Sequence, residues 1–318
     1  MSNHTTHWQE NELKSLEEVI KAISLDSISN NYKDPKIDWL FSEIKSLSFG
    51  DIEIKYNILM FSADVSNRFG DIITLNHDII VFQQSSLESP VNYIIDKNAT
   101  GARTLLRQLL GYTGRLEIVQ KPLNLDADIL LWLVKKVFTS ENIFEFIRKT
   151  DQSQVDILKI NGIFGLSGET LDENKLRAEG DSVLKLASTL TFILDSERVR
   201  NLAVQLEYLD HENIELSLRD AGVMAVDIAA YSGSYELINL INFREKRANI
   251  LLLCYLDIIP KLRISYSLDC ADGEWNNEKI NEFYDLIKNE LIQKLSDKQK
   301  SISQEKQEDE FSIVPVAE

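Results

Sequence analysis

Cysteine is nearly missing from this 318-residue chain, with only Cys254 and Cys270 present. Two are too few for a disulfide framework, and no CxxC or Cys/His cluster has zinc-ligand spacing. Cys254 lies in an apolar stretch and reads as a small core residue. Histidine is as scarce: His4, His7, His77 and His211. The first two are expected at a frayed terminus, His77 at a turn or strand position near Asp71, and His211 exposed between Asp210 and Glu212. Without HExxH or any histidine-rich spacing, a histidine-based hydrolase or metalloenzyme is disfavoured, and neither metal nor cofactor is expected. Long apolar runs are absent too. The longest, 129–134 and 250–259, are too short to span a bilayer. The polar opening Met1–Trp8 lacks the layout of a signal peptide, so Asn98-Ala99-Thr100 is a chance sequon and the expected compartment is the cytoplasm. The glycine-rich stretch Asn161–Gly168 fits neither GxGxxG nor a P-loop, and Gly165–Glu169 fails the nucleophile-elbow pattern. A loop or bulge is the reading there.

What is present is acid. The net charge is −17, which opposes polyanion binding by the surface as a whole. One segment differs: residues 97–149 sum to +4, between −8 for 1–96 and −13 for 150–318. Its cations Arg103, Arg107, Arg115, Lys121, Lys135 and Lys136 are the candidates for contacting nucleic-acid phosphates. The competing reading pairs them with acidic neighbours, Lys135 and Lys136 complementing a helix C-terminus.

Hydrophobic periodicity organises the chain around Val155–Tyr231. There a strand and the glycine loop precede an amphipathic helix (Val183, Leu186, Ala187, Leu190, Leu194). Three alternating strands follow, starting at Val204, Ile214 and Val223, which predict an antiparallel meander covered by that helix. Upstream, Leu13–Ile23 and Asp34–Ser48 predict a helical pair, the second with proline at its first position. A small antiparallel sheet begins at Ile52, with Ile72–Leu75 and Ile79–Phe82 as separate strands. Ala102–Leu110 and Asp126–Phe138 read as helices, and Ser140 as the cap of another. Downstream, a helix from Ser234 is expected to end near Pro260. Ile264–Leu268 is strand-like, Ile280–Leu295 helical and Asp297–Glu310 disordered, with Phe311–Val316 a short apolar patch. The expected fold is α+β: helical pair and small sheet (1–96), basic helical segment (97–150), strand/helix/meander unit (151–232), C-terminal helices (233–296) and loose tail (297–318).

The sharpest catalytic candidates are Asp51, Glu53 and Lys55, which alternation sets on one strand face. Glu53 and Lys55 resemble the (D/E)xK half of the PD-(D/E)xK nucleases. That resemblance implies a metal-dependent nuclease completed by an upstream aspartate, for which Asp34 and Asp38 are available. With no full catalytic constellation, the expected function is that of a non-catalytic intracellular interaction protein, one component of a multi-protein complex with a protein partner. The alternatives are a nucleic-acid-engaging protein using 97–149, such as an antiviral-defence component, and the nuclease.

Overall fold

The computed structural model describes residues 4–26, 28, 32–66, 69–86, 89–114, 116–170, 175–180, 183–236 and 243–311. The chain mixes helix and sheet, but the sheets are larger than the periodicity predicts. The first joins β1 (Thr6–Glu10), β2 (Lys33–Trp39), β3 (Lys45–Phe49), β4 (Ile52–Ser66), β5 (Ile72–Gln84), β6 (Asn92–Ile95) and β7 (Ile118–Gln120). Its order is β2-β4-β5-β6-β1-β7, with β3 beside β4. The second joins β8 (Ile143–Ile147), β9 (Val155–Thr170), β10 (Lys175–Glu179), β11 (Ser196–Tyr208), β12 (His211–Arg219) and β13 (Val223–Ser232). Its order is β10-β9-β11-β12-β13, with β8 beside β9. Every pairing is antiparallel. The helices are α1 (Leu16–Ala22), α2 (Ala99–Leu109), α3 (Ala127–Phe138), α4 (Ala187–Asp195), α5 (Phe243–Leu253), α6 (Ile259–Ala271) and α7 (Asn277–Phe311).

The expected small sheet and free-standing three-stranded meander are therefore corrected. The first sheet has seven strands, and the strands from 196 to 232 belong to a six-stranded sheet because β11 also pairs with β9 along its length. The expected helix over 34–48 is instead β2 and β3. Asp34 takes φ +49, and the register of β2 against β4 shifts between Lys33 and Lys36, so Pro35 sits in an irregularity on an edge strand. Ser140 caps no helix. It turns left-handed (φ +62) behind α3, and the chain enters β8. The helix expected to stop near Pro260 continues, because Cys254–Ile258 widens into a π turn just before it. The Ile259 N–H there reaches back to the Cys254 carbonyl, and Pro260, with no N–H of its own, opens α6. Ile264–Leu268 lies inside α6, and α7 runs on to Phe311 through the stretch read as disordered. Of the terminal patch, 312–316 lies outside the described residues, as do 237–242 of the helix expected from Ser234.

Strand alternation divides the interior into two cores. On β4, Ile54, Tyr56 and Ile58 face the second sheet and α3, whereas Leu59, Phe61 and Ala63 face α1 and α2. On β5, Ile80 and Phe82 take the first side, Ile79 and Val81 the other. Both faces of the first sheet are thus covered, which explains the unbroken apolar run at 79–82. Burying a side chain of this kind contributes about 1.5–3 kcal/mol.

His7, expected at a frayed terminus, lies instead in strand β1, which is held between β6 and β7. Its inward face is Thr6, Trp8 and Glu10, all buried. The Trp8 indole donates to the Thr6 hydroxyl (2.9 Å), which donates to the Lys97 carbonyl (3.0 Å). Glu10 accepts from the Tyr93 and Tyr112 hydroxyls (2.8 and 2.9 Å) and the Glu12 N–H (3.0 Å). Glu10→Ala strands those donors and is expected to cost about 2 kcal/mol in urea unfolding. Glu12→Ala, at an exposed neighbour, is expected to stay within about 0.5 kcal/mol.

Candidate functional site

Asp51, Glu53 and Lys55 do not form a metal cradle. Asp51 sits in the turn before β4 and binds the connection between β8 and β9. It accepts from the Lys149 N–H (2.7 Å) and from the Thr150 hydroxyl and N–H. The Thr150 hydroxyl, then the Lys149 N–H, holds its carboxyl below the usual range. Glu53 and Lys55 are exposed at the start of β4, opposite Ser48 and Ser46 of β3. Asp38 lies opposite Met60, five residues beyond Lys55, and Asp34 lies further out near the Lys33–Asp64 pair. At about 3.4 Å per residue, Asp38 is roughly 17 Å along the sheet from Lys55. No group of three potential ligands gathers among the described residues.

The basic segment does not form one surface either. Lys135 and Lys136 both bind Glu141 (2.8 and 3.2 Å), and Lys136 also binds Asp269 (2.8 Å). Arg103 lies over the Trp8 ring at 5.4 Å, on the α2 side of the first sheet. Arg107, one turn on, has its Nε buried without a partner among the described residues. Lys121 acts from the opposite side, where its charge reaches His7. Arg115 lies outside the described residues. Alternation along β1 causes the split, since Trp8 and His7 point to opposite faces.

Three of the four histidines, His7, His77 and His211, are tied into the fold. His77 is on β5, with Nδ1 3.1 Å from Asp96 and Nε2 2.9 Å from the Lys97 ammonium. His211 is buried at the start of β12, bound through Nδ1 to the Tyr231 hydroxyl at 2.6 Å. His7 packs near Phe82 and Tyr255, and burial drives its pKa down to about 4. The unfolded chain therefore binds a proton between about pH 6.5 and 4 that the folded chain refuses, so stability falls as pH drops through that window. His7→Gln is expected to flatten the slope of unfolding free energy against pH there.

The strongest cluster of charge was invisible to motif reading. Asp156 of β9, Asp257 of the π turn and Lys261 of α6 meet in the interior around the Tyr208 hydroxyl. The Lys261 ammonium is 3.0 Å from each carboxylate and donates to Tyr208, which donates to Asp257. Arg148 closes the group with a 2.6 Å bond to Asp156. Burial pushes the Asp156 pKa up, but Arg148 and Lys261 outweigh it and hold the carboxyl below its ordinary value. Burial, then the bond to Asp257, raises the Tyr208 phenol. Gly50 (φ +54) backs onto the cluster, where an added Cβ would lie 3.3 Å from Asp257 Oδ2. Two cations face two anions with the phenol filling the gap. That arrangement fastens the second sheet to α6 and to the β3–β4 turn. The signal was an i,i+4 Asp257/Lys261 pair inside an apolar helix.

The surface feature that stands out is α7. Phe283 and Ile287 are buried, and Ile280, Tyr284 and Leu291 pack on the same core, with Phe138 of α3 against Phe283 at 5.7 Å. The stripe then continues past the body at helical spacing to Leu295 and Ile302, which are 66% and 43% exposed. No described helix is long and apolar enough to cross a membrane. No protein-family model matches the chain, and no curated protein sequence matches it.

Proposed function

We propose that this chain is a non-catalytic component of a protein assembly in the cytoplasm, and that α7 joins it to a second copy of itself. The supporting observation is the apolar stripe that outruns the body, because a helix keeps such a stripe only where something covers it. An antiparallel pair that sets Leu295 of one copy opposite Ile302 of the other covers the exposed end of the stripe on both copies. The two free cysteines, one buried and one exposed, suit a reducing compartment. Sedimentation equilibrium of the intact chain tests the reading. It should return twice the 36.4 kDa chain mass at micromolar concentration. A monomer at every concentration would overturn it.

A further inference from the structure

The second sheet turns one face to the core and the other to solvent, and the solvent face holds a polar cavity of about 490 Å³. Three strands build it. Ser167 of β9, Asn201 of β11 and Arg219 of β12 lie side by side in one cross-strand row. Ser217 stands two residues from Arg219 on β12 and donates to the Asn201 amide oxygen at 3.0 Å. His4 closes one side, because the chain entering β1 bridges Thr5 to Met224 on the edge of β13.

A bulge brings in the second arginine. Val199 pairs with Gly168 and Asn201 with Ser167, which leaves Arg200 as the extra residue of β11. Such an insertion re-aims a side chain that strict alternation would send elsewhere. Gly168 permits it, since a Cβ there would lie 2.5 Å from the Arg198 carbonyl oxygen. The glycine stretch that matches no phosphate loop thus has a structural use.

The donors in this cavity outnumber their partners. Arg200 gives one terminal nitrogen to Glu169, while its Nε is buried and unpaired among the described residues. Nδ1 of His4 is also buried and unpaired. Arg219 has no carboxylate partner among the described residues. Burial, then Arg219, lowers the His4 pKa. In a chain of net charge −17, two guanidinium groups converge here, one of them with a buried Nε unpaired among the described residues. Buried donors left unpaired are destabilising, and an oxyanion would supply the missing acceptors.

We propose that this cavity binds a sugar phosphate. The guanidinium groups of Arg200 and Arg219 take the phosphate, and Asp220 with Ser167 and Ser217 takes the sugar hydroxyls. The volume lies within the range of small-molecule sites. Among the described residues no Phe, Tyr or Trp lines it, so the broad rings on which single-strand binders stack bases are lacking, which argues against nucleic acid.

Titration calorimetry of the intact chain at low ionic strength tests this, with glucose 6-phosphate, inorganic phosphate and glucose as probes. Glucose 6-phosphate should saturate and bind at least about tenfold tighter than inorganic phosphate, and glucose should give no binding heat. Arg219→Gln, at an exposed position, should weaken glucose 6-phosphate roughly 10- to 100-fold with unfolding unchanged. Asp220→Asn should weaken glucose 6-phosphate and leave inorganic phosphate unaffected. The proposal is overturned by the absence of saturable glucose 6-phosphate binding at millimolar concentration, by equal affinity for inorganic phosphate, or by affinity indifferent to Arg219→Gln.

Discussion

Lys261→Met is expected to destabilise the chain by about 3–5 kcal/mol in chemical denaturation, among the largest effects of any single substitution on the fold. Methionine keeps the length of the stem and its contacts with the Phe146 and Tyr208 rings, over which the ammonium lies at 5.4 and 4.7 Å. What it removes is the only cation bonded to Asp257 among the described residues, and the Asp257 side chain is almost fully buried. Asp156 retains Arg148, so the loss falls mainly on Asp257. A buried carboxylate without a partner costs several kcal/mol, far more than the net gain from forming the pair. The effect should also depend on pH. In the wild type Asp156 is held below its unfolded value, so its contribution is complete above about pH 4 and fades as pH falls through the folded pKa. Lys279→Met, which breaks an exposed pair with Glu282, should change stability by less than about 1 kcal/mol.

Leu295→Glu combined with Ile302→Glu is expected to weaken self-association at least about a thousandfold, some 4 kcal/mol, while leaving the monomer's unfolding curve in place. Both residues lie beyond the last packed turn of α7 and are exposed in the single chain, so the fold loses nothing. In the pair each counts twice by symmetry. Four apolar side chains worth about 1.5–3 kcal/mol each on burial give way to four carboxylates that must be desolvated. Concentration-dependent sedimentation separates this from a folding defect. Leu286→Glu, on the opposite side of α7 from Leu295, should have little effect on the association constant.

How much of this was legible in the sequence depended on where polar residues were buried. Helices α2 and α3 stand where their stripes put them, with Ala102, Leu105, Leu106 and Leu109 buried and Asp126 accepting from the Ile129 N–H at 3.0 Å. Strand β1 was missed because its inward face is Thr, Trp and Glu, and only tertiary bonds to Tyr93, Tyr112 and Lys97 make burial of that face tolerable. Strand β2 was read as a helix because Asp34-Pro35 is as good a helix start as it is an edge irregularity. At Pro260 the rule that proline ends a helix lost to a π turn that absorbs the missing N–H. Alternation placed Glu53 and Lys55 on one face of β4, yet distance along the sheet keeps Asp38 away. The cations of 97–149 were countable, but which side of the first sheet each would face was not.

Cross-linking within the proposed pair is the most direct check. Cysteine is placed at 295 and 302 in a Cys270→Ser background, where the remaining Cys254 is buried, and a short bismaleimide is added at micromolar protein. Assembly through an antiparallel α7 requires a covalent species of twice the chain mass joining 295 of one copy to 302 of the other, with none from a cysteine at 286. Only monomer, or equal yield from 286, would mean that α7 does not join two copies.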